Sequence, residues 1–170
     1  MKYLYILYIF LLSNILSAQT PTFNTFGVNN ACAFGPGQVY PITLPRIGNF
    51  FTFGYYSSGN IIGSNYIVLK ELLFGFSNTK WAGRNLPFTS ASIQTAYPNI
   101  IACGDLLVSI DYSYFIPIYS PQIMLFSTYY IPNTTTLLGL PFYQQLVSFN
   151  LSLSNISLEF GVGNRFTIGI

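Results

Sequence analysis

Hydrophobic residues recur at every second position in several short segments of the chain. In the segment 48–56, Phe51 and Phe53 share one side of the backbone, which is the period of two expected of a β-strand. Proline and glycine residues separate the segments at regular intervals, as turns do in all-β proteins. The pattern predicts strands over residues 39–44, 48–56, 66–76, 106–114, 122–131, 143–151, 156–160 and 165–168.

The segment 66–76 is apolar on both sides, with Lys70 and Glu71 near its middle. Such a segment is typical of a central strand that is covered on both faces. A helix is the alternative because the run LKELL has good helix propensity, but Gly75 and the β-rich flanks favour a strand. Residues 88–99 are only weakly patterned, and no segment predicts a convincing helix.

These strands and turns predict an all-β fold, an antiparallel β-sandwich for which a jelly-roll-like strand order is one option. Residues 37–170 are expected to form a single sandwich domain, because a chain of this length can bury one sizeable core. A small outer-membrane β-barrel is the alternative, since exported chains of this size with alternating strands include such barrels. Prolines that interrupt the predicted strands favour the sandwich.

The start of the chain has the order of a secretory signal peptide. A short positively charged n-region, Met1 and Lys2, and an apolar run over residues 3–12 precede small residues that end at Ala18. A transmembrane anchor would need about 20 apolar residues, and the polar residues from Ser13 onward end the run too early. We therefore expect residues 1–18 to be removed, residues 19–36 to form an extended N-terminal arm, and the protein to be secreted to the extracellular space or cell surface.

The composition is poor in charge and rich in aromatic residues. Charged residues make up 6% of the chain, whereas soluble domains usually contain about 25%. A surface with so few charges gives little repulsion between copies, and exposed aromatic area usually marks an interface. Self-association is therefore expected, and the arm 19–36 is either a leader loop or a strand added to a neighbouring copy. With six basic and four acidic residues, the chain has no strong field to attract nucleic acid.

The two cysteines are predicted to form one disulfide. Cys32 and Cys103 would enter an oxidising compartment after export, where two thiols of one domain usually pair. By loop entropy, such a bond would stabilise the fold by about 4 kcal/mol. A reactive or metal-binding thiol is the alternative, but it lacks partners because the sequence contains no histidine.

Residues for catalysis are scarce. Nucleophilic catalysis of the usual kind has no histidine base. The few carboxylates match neither a calcium-binding loop nor the spacing of a glycosidase pair, so salt bridges or turn capping are their expected roles. We predict no catalytic residue, no metal and no cofactor. The acidic residues are Glu71, Asp105, Asp111 and Glu159.

Aromatic residues provide the candidate binding site. Trp81 is the single tryptophan, and it stands in a polar turn with Lys80 and Arg84. Aromatic rings can stack on sugars, although core packing or a subunit contact is the preferred interpretation. The candidate residues for an interface or for glycan stacking are Trp81, Tyr55, Tyr56, Tyr129 and Tyr130. N-glycosylation sequons begin at Asn133, Asn150 and Asn155.

Four separated motifs occur along the chain: LLFGFSNTKWAG followed by LP, IIACGDLLVSID, IPNTTTLLGLPFYQQ and LEFGVGNRFTIG. In this order they resemble uncharacterised secreted β-sandwich domains that are common in planctomycetes and some other bacteria. The resemblance spans residues 42–170 and implies a β-rich extracellular domain, a disulfide at Cys103 and no catalytic activity. The chain departs from that pattern around Cys103, at Thr135 and at Gln144, so the resemblance implies no shared ligand.

The function expected from the sequence is that of a non-catalytic extracellular structural subunit. It would associate with copies of itself into a surface assembly or filament, because its composition favours contact between copies. A carbohydrate- or surface-binding module is the alternative, for which an extracellular glycan would be the partner. An enzyme would have to work with carboxylates alone.

Overall fold

The computed structural model describes residues 20–28, 32, 37–58, 66–116, 122–152 and 155–170. The predicted signal peptide, residues 1–18, lies outside the described residues, and so does part of the predicted arm. No helix in the described ranges is long and apolar enough to cross a membrane. Within them the elements are β1 (Thr22–Phe26), β2 (Gln38–Pro41), β3 (Phe50–Ser58), β4 (Tyr66–Gly75), β5 (Lys80–Trp81), β6 (Arg84–Asn85), α1 (Ser90–Ala96), β7 (Ile100–Cys103), β8 (Tyr112–Ile116), β9 (Gln122–Tyr130), a 3-10 helix (Thr135–Leu137), β10 (Pro141–Ser152) and β11 (Ile156–Thr167).

The larger sheet is built around β4, β10 and β11, the longest strands of the described chain. Its order is β1, β11, β10, β4, β8, and neighbouring strands in this order are antiparallel. β7 also pairs with β11, in parallel, on the same edge as β1. β1 therefore covers the second half of β11, from Gly163, and β7 covers the first half, up to Glu159.

The smaller sheet contains β3 between β2 and β9, all antiparallel. Its strands alternate as the sequence predicts. Phe51, Phe53 and Tyr55 are buried on the inner face, whereas Phe50 is exposed on the outer face. The inner face packs on the larger sheet, so the two sheets form a sandwich with antiparallel strands, and the predicted fold class is confirmed.

The core between the sheets is mainly aromatic. Phe51 and Phe53 of the smaller sheet contact Phe166 of β11, with ring centroids 4.8 and 6.4 Å apart. Phe142 of β10 stacks on Phe166 at 5.0 Å. Rings at these distances add specific contacts to the free energy of apolar burial. The remaining buried residues of this core include Val39, Leu72, Ile116, Leu146 and Ile168.

A third layer covers the opposite face of the larger sheet. It consists of the β5–β6 hairpin, α1 and the irregular segment that follows β7, and it buries Leu106 and Val108 against Leu73 and Phe160. The helix α1 begins where Thr89 accepts a hydrogen bond from the Ser92 N–H, a typical N-cap. The predicted sandwich thus carries an additional non-sheet layer.

Gly75 at the end of β4 allows this third layer to approach the sheet. A Cβ atom at this position would collide with the backbone oxygen and the hydroxyl of Ser109. The Ser109 N–H donates to the Ser77 carbonyl at 2.8 Å, and the Ser77 N–H donates back to the Ser109 hydroxyl at 3.1 Å. The motif LLFGFSNT is therefore a packing motif, because only glycine fits at this contact.

Several predicted elements differ from the structure. Residues 106–114 were predicted as one strand, but Leu106 to Ser109 are all buried in irregular backbone and β8 begins only at Tyr112. Segments 156–160 and 165–168 are one continuous strand, β11. Residues 88–99 contain the short helix α1, although no helix was predicted. Within the predicted arm 19–36, β1 pairs with β11 of the same chain.

Candidate functional site

In the part of the chain that the structure describes, one side of the sandwich has two neighbouring strand edges without partners. In the described residues, β8 pairs only with β4, and β9 pairs only with β3. Tyr112 of β8 and Tyr129 of β9 both contact the ring of Phe74, with centroids 5.9 and 5.8 Å apart, so the two edges lie side by side. We call β8 and β9 together the open edge.

Exposed aromatic side chains concentrate on the open edge. Tyr112 and Phe115 of β8 are 58% and 59% exposed, and Phe126 and Tyr130 of β9 are 56% and 54% exposed. An unpaired strand edge presents free backbone N–H and C=O groups, which can pair with a further strand. Apolar side chains beside such groups make the edge suited to contact with another chain.

The outer face of the smaller sheet continues this aromatic surface. Phe50 and Tyr130 pair across β3 and β9 with ring centroids 5.4 Å apart, and both are exposed. Beside them, the hydroxyls of Thr52 and Thr128 share a hydrogen bond of 3.0 Å. The result is a patch of two tilted rings and two hydroxyls, which we call the outer aromatic patch.

A cavity of about 300 Å³ opens next to the open edge. It lies between the two sheets, and its walls include Phe51, Phe74, Tyr129, Phe142 and Ile168. Its surface is apolar, so a group that entered it would have to be apolar as well. Binding pockets for small molecules begin at about this volume.

Asp111 shapes the rim of this cavity through its carboxylate. Its Oδ2 accepts hydrogen bonds from the Phe76 N–H at 2.8 Å and from the Ser109 hydroxyl at 2.7 Å. These bonds hold the turn after β4 in place, with the Phe76 ring 78% exposed above the rim. Turn fixing is the role that the sequence predicted for its carboxylates, and at Asp111 the hydrogen bonds are of that kind.

Trp81 lies far from the tyrosines with which the sequence grouped it. It stands on the third layer, half-buried, where its ring packs on Phe88 at 5.9 Å and its Nε1–H donates to the Ile110 carbonyl at 3.2 Å. The larger sheet separates it from Tyr55 and Tyr129. The structure therefore does not bring Trp81 into one site with Tyr55, Tyr129 or Tyr130.

Three of the four candidate tyrosines have different environments. Tyr55 is 2% exposed in the inter-sheet core, whereas Tyr129 lies at the open edge and Tyr130 on the outer aromatic patch. Burial raises the pKa of Tyr55, and a hydrogen bond with Ser127 opposes the change. Burial also raises the pKa of Tyr129, and nearby Tyr112 adds to it. The side chain of Tyr56 lies outside the described residues.

Cys32 and Cys103 are joined by the predicted disulfide. It ties the segment after β1 to the end of β7, and the Cys32 N–H donates to the Phe160 carbonyl of β11 at 2.9 Å. The bond thus fastens the place where β1 and β7 meet along β11. A disulfide of this kind indicates an oxidising, non-cytoplasmic setting.

The three sequon asparagines lie in different positions. Asn133 and Asn155 are exposed in turns, before the 3-10 helix and between β10 and β11. Asn150 is half-buried in β10, and its amide donates to Ser157 and Glu159. Among the described residues, no group of three or more His, Cys, Asp or Glu side chains could hold a metal ion.

Sequence reasoning missed most of the open edge. Tyr112, Phe115 and Phe126 were not among the candidates, although they belong to strands that alternate. The signal that could have found them is a pair of strands with aromatic residues on both faces, 112–116 and 122–130, on either side of prolines. Strands with apolar residues on both sides indicate a central position or an interface.

The sequence has no match among protein-family models or among curated proteins. The resemblance to secreted planctomycete domains therefore remains a prediction from the four motifs.

Proposed function

We propose that this protein is a non-catalytic extracellular structural subunit that associates with copies of itself. The observation that carries the proposal is the open edge, where β8 and β9 lie side by side, each with one edge that has no partner among the described residues, and carry exposed aromatic side chains. The low charge of the chain supports it, because copies repel one another only weakly. Strand addition at β9 or β8 would extend a sheet from one copy into the next.

The N-terminal arm is not the contact surface in this proposal. β1 already pairs with β11, and its Phe23 packs on Phe166 with centroids 4.9 Å apart. Releasing this strand to a neighbour would open the core between the sheets. The open edge can accept a strand without any such loss.

The first test places a lysine on the exposed edge strand. Phe126→Lys should convert the assembled protein to monomers, because a charged side chain on an edge strand blocks pairing with a further strand. The matched control is Tyr97→Lys, since Tyr97 is 63% exposed at the end of α1 and away from the open edge. Sedimentation velocity and electron microscopy of the disulfide-intact protein measure the effect. A wild-type protein that stays monomeric at high concentration would refute the proposal.

A carbohydrate- or surface-binding module is the second candidate, and the outer aromatic patch favours it. Phe50 and Tyr130 give an exposed apolar platform, while Thr52 and Thr128 offer hydroxyls beside it. Rings with a nearby hydrogen-bonding group are suited to the apolar face and polar rim of a sugar. Trp81 carries no part of this candidate, because it packs in the third layer.

The second test measures glycan binding. Tyr130→Ala should reduce binding on a glycan array or to whole polysaccharide by about fivefold if the patch stacks on sugar, since lost stacking costs about 1 kcal/mol. Tyr97→Ala should leave binding unchanged. Equal binding by the two variants would remove the outer aromatic patch as a glycan site.

A further inference from the structure

A row of polar side chains crosses the inner face of the larger sheet. Lys70 of β4 lies opposite Ser148 of β10, and Ser148 lies opposite Glu159 of β11. Asn150 follows Ser148 by two residues on β10 and therefore shares this face. Lys70 and Ser148 are each only 2% exposed. An amine, a carboxamide and a carboxylate are thus gathered on three adjacent strands.

The carboxamide of Asn150 is held at both ends. Its Nδ2 donates to Glu159 Oε1 at 2.9 Å and to Ser157 Oγ at 3.1 Å. Its Oδ1 accepts a hydrogen bond from Ser148 Oγ at 3.4 Å. A carbonyl that accepts a hydrogen bond is polarised for attack at carbon, and the carboxylate touches the nitrogen that would leave.

Lys70 is the diagonal neighbour of Asn150 across β4 and β10. Side chains in diagonal positions on one face start about 7–8 Å apart, a span within reach of a long side chain such as lysine. Burial lowers the pKa of Lys70 to about 8, and the nearby carboxylate of Glu159 opposes this change. A larger fraction of this amine is therefore neutral near pH 7 than of an exposed lysine, and the neutral form is the nucleophile.

We infer that Lys70 and Asn150 form an intramolecular amide bond, an autocatalytic cross-link between β4 and β10 with Glu159 as the proton carrier. The bond joins Lys70 Nζ to Asn150 Cγ, and the bond between Asn150 Cγ and Nδ2 breaks. The neutral Lys70 amine gives one proton to Glu159 as the new bond forms, Glu159 passes that proton to the departing Nδ2, and the nitrogen leaves as ammonia. Every atom in the step comes from these side chains, so no oxidant, metal or cofactor is required.

The position of the row suits such a reaction. Its strands are already paired, so the sheet itself holds the reacting groups together and the reaction becomes effectively unimolecular. Lys70 and Ser148 are buried and Asn150 and Glu159 partly so, which limits the access of water to the reacting groups. The cross-link would join two central strands, whereas the disulfide fastens strands at the edge of β11. It is independent of self-association.

Peptide mapping of the purified, reduced protein tests the inference. Trypsin cleaves after lysine and arginine, and the cross-link would block cleavage after Lys70. The expected product joins peptide 47–80 to peptide 85–165, with a mass lower than their sum by one ammonia molecule. Separate, unmodified peptides 47–70 and 71–80 would overturn the inference. Peptides are preferable to the intact mass because Gln19, if exposed by cleavage after Ala18, could also lose ammonia.

Matched variants assign the roles. Lys70→Arg should abolish the joined peptide. Lys80→Arg, at an exposed lysine, should retain the same joined peptide, because trypsin also cleaves after arginine. Glu159→Gln should leave Lys70 and Asn150 unlinked in a folded, disulfide-bonded protein. Asn150→Asp should still form the cross-link, but with loss of water in place of ammonia. This change in the leaving group would show that a covalent amide forms at position 150. A joined peptide in Lys70→Arg would refute the assignment of the amine.

Discussion

Gln144 and Gln145 are consecutive residues of β10, both fully buried, and their surroundings are opposite. Gln145 makes three hydrogen bonds: its Oε1 accepts from the Leu107 N–H at 2.9 Å, and its Nε2 donates to the carbonyls of Asp105 and Gly161 at 2.8 Å. Gln144 points to the other face, and in the described chain neither of its side-chain polar atoms has a hydrogen-bond partner.

The difference follows from what each face meets. Gln145 faces the irregular segment after β7, whose backbone groups are not paired in a ladder and need partners of another kind. Gln144 faces the smaller sheet, in which the backbone groups of β3 are used by β2 and β9. A buried amide therefore contributes hydrogen bonds only where the facing layer has free backbone groups.

We predict that the face of the larger sheet that contains Gln144 is stabilised mainly by aromatic packing against the smaller sheet. Phe166→Ala should destabilise the protein by about 3–5 kcal/mol, because it leaves a cavity among Phe51, Phe53 and Phe142. Urea unfolding followed by circular dichroism measures the change. Phe76→Ala is the control, since Phe76 is 78% exposed, and a similar loss in both variants would contradict the prediction.

The packing of the third layer on the opposite face should depend on the side-chain amide of Gln145. Gln145→Leu should destabilise the protein by about 3 kcal/mol, because backbone groups at Asp105, Leu107 and Gly161 lose their partner while buried. The fluorescence of Trp81 reports on the same layer, since its indole donates to Ile110. Gln38→Leu, at an exposed position of β2, should change neither signal. An unfolding midpoint unchanged in Gln145→Leu would show that the segment is held by its apolar residues alone.

Gln144 should give the smallest effect and the opposite sign. Gln144→Leu should stabilise the protein by about 1 kcal/mol, because it removes a buried amide that lacks partners and adds apolar contact. Thermal unfolding of this variant beside Gln145→Leu makes the comparison direct, since the two changes are chemically identical. A loss of stability in Gln144→Leu would mean that its amide is satisfied in solution.

The alternation of the sequence predicted the strands well where their backbone pairs with other sheet strands. The predicted segment 66–76 became β4 (Tyr66–Gly75), and 122–131 became β9 (Gln122–Tyr130). It failed at 106–114, because the backbone of Leu107 is satisfied by the Gln145 side chain, a contact between residues distant in sequence. The short helix α1 was missed because seven residues give little periodicity, although Thr89 offered an N-cap signal.

The candidate site was less predictable than the fold. Alternation tells which residues share a face of one strand, but it does not tell which strand lies at an edge. Tyr55 and Tyr129 are both aromatic strand residues, yet one is enclosed in the core and the other reaches the open edge. Trp81 belongs to a layer that sequence periodicity does not describe. The partners of each strand, and hence its exposed edge, are set by pairings far apart along the chain.

The shared edge of β11 has a consequence for how the chain folds. β1 and β7 both pair with β11, which is synthesised after them. The larger sheet therefore cannot close before β11 has been synthesised, and its assembly depends on contacts between distant parts of the sequence, which slow folding. Before β10 is synthesised, the apolar strand β4 lies without this neighbour, so the newly made chain is exposed to aggregation until β10 and β11 have formed.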